Sequence, residues 1–212
     1  MFAHKRFDSV KYPGEFLEYL FFQPEITEKL PLLMYLPGAG CRGTNLNQIG
    51  TGGFIQSVTD RGGIPARVII PQCRLETWFD HYHVLCEFLE SHINDPHIDS
   101  DRVYLTGASM GGYATWQLCI SHPEWVAAAV PVCAGGMYWD AGRLKDIPIW
   151  AFHGVKDDVV LCCESEHMVE RIRLAGGNAK LTLLPDVDHQ AWNNAYSCEE
   201  MWTWLFAQHK SR

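Results

Sequence analysis

Three polar side chains, Ser109, Asp157 and His189, occur in that order along the 212-residue chain, each shortly after an apolar run. A serine hydroxyl is a weak nucleophile until a base removes its proton. An imidazole can act as that base, and a carboxylate can orient the imidazole and stabilise its protonated form. The set therefore predicts acyl-transfer chemistry, with Ser109 as the nucleophile, His189 as the base and Asp157 as the acid.

The candidate nucleophile lies in a G-x-S-x-G motif, Gly107-Ala108-Ser109-Met110-Gly111, between a strand-like and a helix-like stretch. A sharp turn at this point would lift the hydroxyl above the sheet, and glycines two positions away would leave room for the turn. The Met110 N–H at the helix start would then point toward an oxyanion beside Ser109. Taken alone, the motif is equally compatible with a tight glycine turn that contains an incidental serine.

Apolar runs that alternate with helical patterns are the elements that must position these residues. Strands are predicted over residues 15–22, 30–37, 67–71, 101–107, 125–133, 147–154 and 179–186, and helices over residues 82–94, 110–121, 164–175 and 198–208. This alternation predicts an α/β fold, with a mostly parallel central sheet and helices on both faces. Ligands bind at the carboxyl ends of such strands, where the three polar residues follow. We expect a single domain over residues 1–212, since no linker or repeat interrupts the pattern.

The sequence resembles the α/β-hydrolases, in the esterase branch that includes dienelactone-hydrolase-like and depolymerase-like esterases and prolyl-oligopeptidase-type domains. The resemblance extends from about residue 32 to residue 206 and rests on "DRVYLTGASMGGYATW", "IPIWAFHGVKDDVV" and "LPDVDHQAW". It implies an α/β-hydrolase fold and the family order of serine, acid and histidine. His153, Gly154, Asp157 and Val160 match the family's H-G-x-x-D-x-x-V pattern, which makes Asp157 the acid rather than Asp158.

The same resemblance implies a second oxyanion donor in the loop after an early strand, here Pro37-Gly38-Ala39-Gly40. Pro37 replaces the histidine that the family usually has. Because the donor is a backbone N–H, we expect Ala39 to supply it, with Gly40 as the second choice.

Aromatic residues near the predicted strand ends are candidates for substrate binding, and we assign Trp192, Trp78 and Trp139 to this role. The connection over residues 134–146 is too short for a helical cap, so we expect no cap domain. The site should then be shallow, with Tyr138 and Trp139 at its rim. Short acyl esters, or small esters on a larger molecule such as an acetylated or feruloylated sugar, are the expected substrates.

The charge, the hydropathy pattern and the cysteine content of the sequence argue against several classes of partner and location. The net charge is −8 without any basic block, which argues against a nucleic-acid partner. No run approaches the ~18 apolar residues of a membrane span, and "MFAHKRFDSV" lacks the apolar stretch of a signal peptide. Eight cysteines without a C-x-x-C pair predict free thiols in a reducing compartment, with a disulfide as the alternative. We therefore expect a cytoplasmic protein with no membrane partner.

The other histidines predict no further chemistry. His81 and His83 form an H-x-H pair without a visible third ligand, so no metal site is expected. His153 is expected to shape the turn before Asp157, or to act as a base in a different geometry.

Together these features predict a serine carboxylic-ester hydrolase that acts on a small-molecule ester through an acyl-enzyme and needs no cofactor. Two alternatives stay open. One is a serine peptidase of the prolyl-oligopeptidase type, although such enzymes usually carry a large extra domain. The other is a catalytically inactive binding protein on the same scaffold, against which the complete set of three residues argues.

Overall fold

The computed structural model of the chain describes residues 2–26 and 28–210. Residues 1, 27, 211 and 212 of the domain predicted over 1–212 lie outside the described residues. Eight strands form one sheet in the order β1-β2-β4-β3-β5-β6-β7-β8. They are β1 (Ala3–Asp8), β2 (Phe16–Phe22), β3 (Leu30–Leu36), β4 (Arg67–Pro71), β5 (Ile98–Ala108), β6 (Ala128–Val132), β7 (Ile149–Gly154) and β8 (Ala179–Leu184). Only the pairs β1–β2 and β2–β4 are antiparallel, so the predicted mostly parallel sheet is confirmed.

Helices cover both faces of the sheet, as predicted. One face packs against α2 (Tyr82–Ile93), α3 (Met110–Ser121) and α4 (Cys163–Leu174). The other face packs against α1 (Gly53–Asp60), α5 (Trp192–Ser197) and α6 (Glu199–Phe206). Every residue of β3, β4, β6 and β7 is buried, which explains why these strands are nearly continuous apolar runs in the sequence.

The topology brings distant parts of the chain to one edge of the sheet. Strands β3 and β5 are parallel neighbours, and β5, β6, β7 and β8 follow one another in the same direction. Their carboxyl ends therefore meet at the same edge. The loop after β3, the turn after β5 and the loops after β7 and β8 all lie there, and these segments contain the predicted site residues.

The structure corrects several element boundaries. Strand β1 and helices α1 and α5 were not expected, and β5 begins at Ile98, before the predicted residue 101. The connection from β6 to β7 contains a 3-10 helix, Tyr138–Leu144, and no inserted domain, so the expected absence of a cap agrees with the path of residues 133–148. Within the described part of the chain, every helix is too short or too polar to cross a membrane.

Candidate active site

Ser109 lies at a strained turn between β5 and α3. Its φ of 54° and ψ of −122° place a non-glycine residue outside the regions that side chains ordinarily allow. The Ser109 N–H donates to the Val132 carbonyl of neighbouring β6, with an N···O distance of 2.9 Å. Such strain persists only where the surrounding structure enforces it, and it is common at functional sites. The turn has the strand–turn–helix context that the sequence predicted.

Glycine is required on both sides of this serine. A Cβ on Gly107 would overlap the Gly111 carbonyl of the first turn of α3. A Cβ on Gly111 would overlap the Leu36 carbonyl at the end of β3. The first turn of α3 can therefore approach both strands only because these two positions lack side chains.

The side chains of Ser109, His189 and Asp157 form one continuous hydrogen-bonded chain. His189 Nε2 lies 2.8 Å from Ser109 Oγ, and His189 Nδ1 lies 2.7 Å from Asp157 Oδ2. His189 belongs to the loop between β8 and α5, and Asp157 belongs to the loop after β7. The three residues predicted from widely separated motifs are thus in direct contact, in the geometry that nucleophilic catalysis by serine requires.

The Asp157 carboxylate is buried and surrounded by donors. Its Oδ1 accepts the N–H groups of Val159 and Val160 at 3.0 and 2.9 Å. Its Oδ2 accepts from His189 and lies 3.2 Å from His153 Nε2. Burial alone would raise the pKa of Asp157, but the hydrogen bonds from His189 and the two backbone amides outweigh burial and lower this pKa. The carboxylate is therefore ionised at neutral pH and oriented by three hydrogen bonds, with the His153 ring beside Oδ2.

Backbone N–H groups at two chain turns are available to an oxyanion. Met110 is the first residue of α3, and Ala39 and Gly40 begin the 3-10 turn Ala39–Cys41 after β3. Among the described residues, none of these three N–H groups donates to a protein acceptor. Gly38 brings the second turn close to the first, since a Cβ on Gly38 would lie 3.5 Å from Ser109 Cβ. The donors expected from Met110 and from Ala39 or Gly40 thus belong to adjacent turns.

The loop over residues 37–45, which we call the oxyanion loop after its expected role, is fixed by hydrogen bonds to the segment that follows β4 and by one bond within the loop. Trp78 Nε1 donates to the Pro37 carbonyl at 3.0 Å. Arg42 Nε donates to the Ala39 carbonyl at 3.0 Å, and Arg42 Nη1 reaches Glu76. Gln72 Nε2 donates to the Cys41 and Asn45 carbonyls. These contacts hold the loop against the segment that follows β4.

The three predicted substrate-binding tryptophans differ in exposure. Trp192 is half-buried, begins α5 rather than lying in a loop, and meets the His189 ring edge-on at a centroid distance of 5.4 Å. Trp139 is 64% exposed on the β6–β7 connection. Trp78 is fully buried, so it offers no surface to a substrate in this structure. Its indole instead donates to the oxyanion loop, and its predicted role in substrate binding stays a prediction.

Two further residues lie beside the triad, and the sequence did not predict their contacts with it. Cys133, the residue after β6, has a φ of 49°, and its buried thiol donates to the His189 carbonyl at 3.2 Å. His153 contacts Asp157 directly. The H-G-x-x-D pattern was the available signal for His153, whereas nothing distinguished Cys133 from the other apolar cysteines.

One group of potential metal ligands occurs among the described residues, and it overlaps the triad. The nearest ligand atoms of Cys133, Asp157 and His189 all lie within 4.8 Å of one another. Burial and the nearby Asp157 carboxylate raise the pKa of the Cys133 thiol to about 12, so it keeps its proton. Both Asp157 oxygens already accept hydrogen bonds. This set is therefore better suited to proton transfer than to metal binding.

No protein-family profile matches the chain. Over 77 residues, or 36% of the chain, the sequence is 35% identical to the bifunctional acetylxylan esterase/xylanase XynS20E of Neocallimastix patriciarum, and the match covers 11% of that protein. A thermostable esterase of known structure is 29% identical, with a TM-score of 0.85 over 99% of this chain and 63% of that one. In both comparisons the chain spans less than two thirds of the other protein.

Two more distant structures share the fold. A ferulic acid esterase has a TM-score of 0.76 at 16% identity and covers 97% of this chain and 99% of its own. An acylaminoacyl peptidase of Pyrococcus horikoshii has a TM-score of 0.72 at 13% identity and covers 97% of this chain and 41% of its own. These similarities confirm the fold inferred from the sequence motifs, and the matches to the thermostable esterase and to the acetylxylan esterase/xylanase confirm the resemblance to esterases.

Proposed function

We propose that this chain, which has the α/β-hydrolase fold, is a serine carboxylic-ester hydrolase. The observation that carries the proposal is the unbroken hydrogen-bonded chain from Ser109 Oγ through His189 to Asp157 Oδ2. Because ionised Asp157 accepts from His189 Nδ1, the imidazole proton lies on Nδ1. The lone pair on Nε2 then faces the Ser109 hydroxyl, as a general base requires.

The proposed reaction uses residues of this chain and one water molecule. Ser109 Oγ attacks the acyl carbon while His189 removes its proton. The N–H groups of Met110 and Ala39 stabilise the oxyanion, with Gly40 as the alternative to Ala39. His189 then protonates the leaving alcohol, and a water molecule activated by the same imidazole hydrolyses the acyl-enzyme. Asp157 orients His189 and stabilises the imidazolium.

We propose short-chain esters, or small aryl or sugar esters, as the substrates. The connection from β6 to β7 carries no inserted cap, and it exposes Tyr138 and Trp139, which are 54% and 64% accessible. An open site of this kind buries few methylenes of a long acyl chain, while exposed aromatic faces suit sugar or phenolic rings. The names of two similar proteins, an acetylxylan esterase/xylanase and a ferulic acid esterase, support the same substrate class.

A peptidase activity is the second candidate, because the acylaminoacyl peptidase shares the fold. The chain corresponds to only 41% of that protein, so a peptidase would have to act without the remainder.

A reducing compartment such as the cytoplasm is proposed on the eight free cysteines.

A hydrolysis screen tests this function. The purified chain is assayed against p-nitrophenyl acetate and butyrate, methyl ferulate, acetylated xylan, and an acetylated peptide anilide, with Ser109→Ala as the matched control. We expect hydrolysis of at least one ester by the wild type only. Cleavage of the peptide substrate alone would favour the peptidase, and a folded wild type without activity would favour a binding protein on this scaffold.

A further inference from the structure

One buried imidazole beside the active site has no role in the proposed reaction. His153 is the fifth residue of β7, and its side chain has no exposed surface. Its Nε2 lies 3.2 Å from Asp157 Oδ2, the same oxygen that accepts from His189 Nδ1 at 2.7 Å. The Asp157 carboxylate is therefore placed between two imidazoles, one from the sheet and one from the loop after β8.

The partners of His153 define where its protons lie. Nε2 lies 2.9 Å from the Val160 carbonyl and faces the ionised Asp157 carboxylate, and both of these groups only accept hydrogen bonds. Nε2 must therefore carry a hydrogen and donate. On the other side of the ring, Nδ1 lies 2.7 Å from Ser165 Oγ, whose single hydrogen also faces the Ala134 carbonyl at 2.7 Å. The His153 side chain thus links the loop after β7 that contains Asp157 (residues 155–162, the acid loop) to α4 and to the segment after β6.

We propose that His153 is a positioning residue for the active site, an inference that rests on the proposed esterase function. Its Nε2–H donates to Val160 O at 2.9 Å and lies 3.2 Å from Asp157 Oδ2, so it holds the loop that carries Asp157 and restricts the rotation of the carboxylate. Backbone amides fix Oδ1, His189 donates to Oδ2, and the His153 N–H lies beside Oδ2 as a second polar neighbour. The orientation of the His189 ring toward Ser109 then depends on a carboxylate that is anchored at both oxygens.

The same N–H has an electrostatic consequence. Its positive end lies beside Asp157 Oδ2 and weakens the stabilisation of a protonated His189 by that carboxylate. Removing the donor should move the acid limb of the kcat/KM profile to higher pH.

Other titratable groups interact with this cluster or with its neighbours. Cys133 after β6 and Tyr113 on α3 interact with Asp157, whereas Asp188 in the loop after β8 interacts with Cys133 and Glu164 on α4 interacts with Tyr113. Burial raises the pKa values of the Cys133 thiol and the Tyr113 phenol, so both stay neutral between pH 5 and 8. The Glu164 and Asp188 carboxylates are present in the wild type and in every variant at position 153. A shift of the acid limb would therefore report on the His153–Asp157–His189 contact.

The test compares three substitutions at one position. His153→Gln places an amide N–H near the position of Nε2, His153→Asn places it near Nδ1, and His153→Leu removes both. The matched control is His92→Leu, because His92 is also buried among aromatic rings but lies in the last turn of α2, at the opposite edge of the sheet. Melting curves, kcat, KM and pH profiles are measured for all four variants on the ester that the wild type hydrolyses.

We expect His153→Asn and His153→Leu to lower kcat on the order of 10²-fold, as misplacement of a catalytic group does. KM should not change, because a fully buried side chain cannot touch the substrate, and the acid limb should move to higher pH. His153→Gln should retain most of the activity and the acid limb of the wild type. His92→Leu should retain the wild-type activity and the wild-type acid limb.

Three results would overturn the proposal. The first is a His153→Leu variant with the wild-type kcat and the wild-type acid limb. The second is an equal loss of kcat in His153→Gln and His153→Asn. The third is failure of all three variants to fold while His92→Leu folds, since His153 would then serve only the core. A wild type without esterase activity would instead contradict the proposed function itself, so the two failures are distinguishable.

Discussion

Replacement of Trp78 by phenylalanine separates a role in substrate binding from a role in supporting the oxyanion loop. Trp78 is fully buried, and its Nε1 donates to the Pro37 carbonyl at 3.0 Å, one residue before the Gly38–Ala39 peptide. Phenylalanine keeps an aromatic ring but removes this donor. The Pro37 carbonyl would lose the indole that now orients it.

The size of the effect follows from this contact. A buried carbonyl left without its partner costs about 1–3 kcal/mol, which for a chain of this length lowers Tm by about 4–8 °C at 2 kcal/mol. Loss of one oxyanion donor costs ~10²–10³ in kcat. A loop without the Trp78 hydrogen bond should hold its N–H donor less firmly, so part of this loss in kcat is expected. We expect kcat to fall about 10-fold or more with little change in KM.

Trp150→Phe is the matched control for this measurement. Trp150 is also buried and donates one indole hydrogen bond, to Thr182 Oγ1 at 2.9 Å, but it is the second residue of β7 and lies far from the carboxyl edge. Both variants should lose similar Tm in thermal melts, whereas only Trp78→Phe should lose kcat. An unchanged kcat together with a raised KM in Trp78→Phe would refute the loop-support role and restore the one predicted from the sequence.

Three further outcomes follow from the structure. Asp157→Asn should lower kcat by about 10⁴ whereas exposed Asp158→Asn should change it little, and steady-state kinetics showing the reverse ranking would move the acid by one residue. Burial alone would raise the pKa of Asp95, but hydrogen bonds from Arg67 and His97 lower it to about 2, so its contribution to stability is present above pH ~4 and is lost as pH falls toward 2. Acid titration of the unfolding free energy should show this loss in the wild type, and an equally steep loss in Asp95→Asn would exclude this carboxyl as its source. Rates on p-nitrophenyl esters from acetyl to palmitoyl should not rise with chain length, although each buried CH₂ would add about 0.8 kcal/mol; a climb through octanoyl, or a jump at the critical micelle concentration, would indicate a deep lipid site.

The fold could be predicted from the sequence wherever an element is buried on both faces. Strands β3, β4 and β7 are continuous apolar runs and were placed within one or two residues. Strand β1 was missed because its residues, AHKRFD, are almost all exposed at the edge of the sheet. Helix α1 begins at Gly53, directly after Gly52, and this glycine pair is typical of a loop; the helix packs against α5.

The candidate site was predictable to the extent that position along a strand determines it. Ser109, Asp157 and His189 each follow a parallel strand, so the sheet topology brings their backbones together. Side-chain direction was not predictable in the same way. Trp78 follows β4 as expected, but only packing shows that its indole points into the core, and the contact between His153 and Asp157 depends on how the acid loop folds back.

Labelling with a fluorophosphonate tests the central claim most directly, because this reagent reacts with a serine only when a base activates the hydroxyl. The native chain, Ser109→Ala and a heat-unfolded sample are treated in parallel, and the modified peptide is identified by mass spectrometry. We predict stoichiometric labelling of Ser109 in the native chain and none in the other two samples. A folded chain that stays unlabelled, or that carries the label on another residue, would contradict the assignment of Ser109 as the nucleophile.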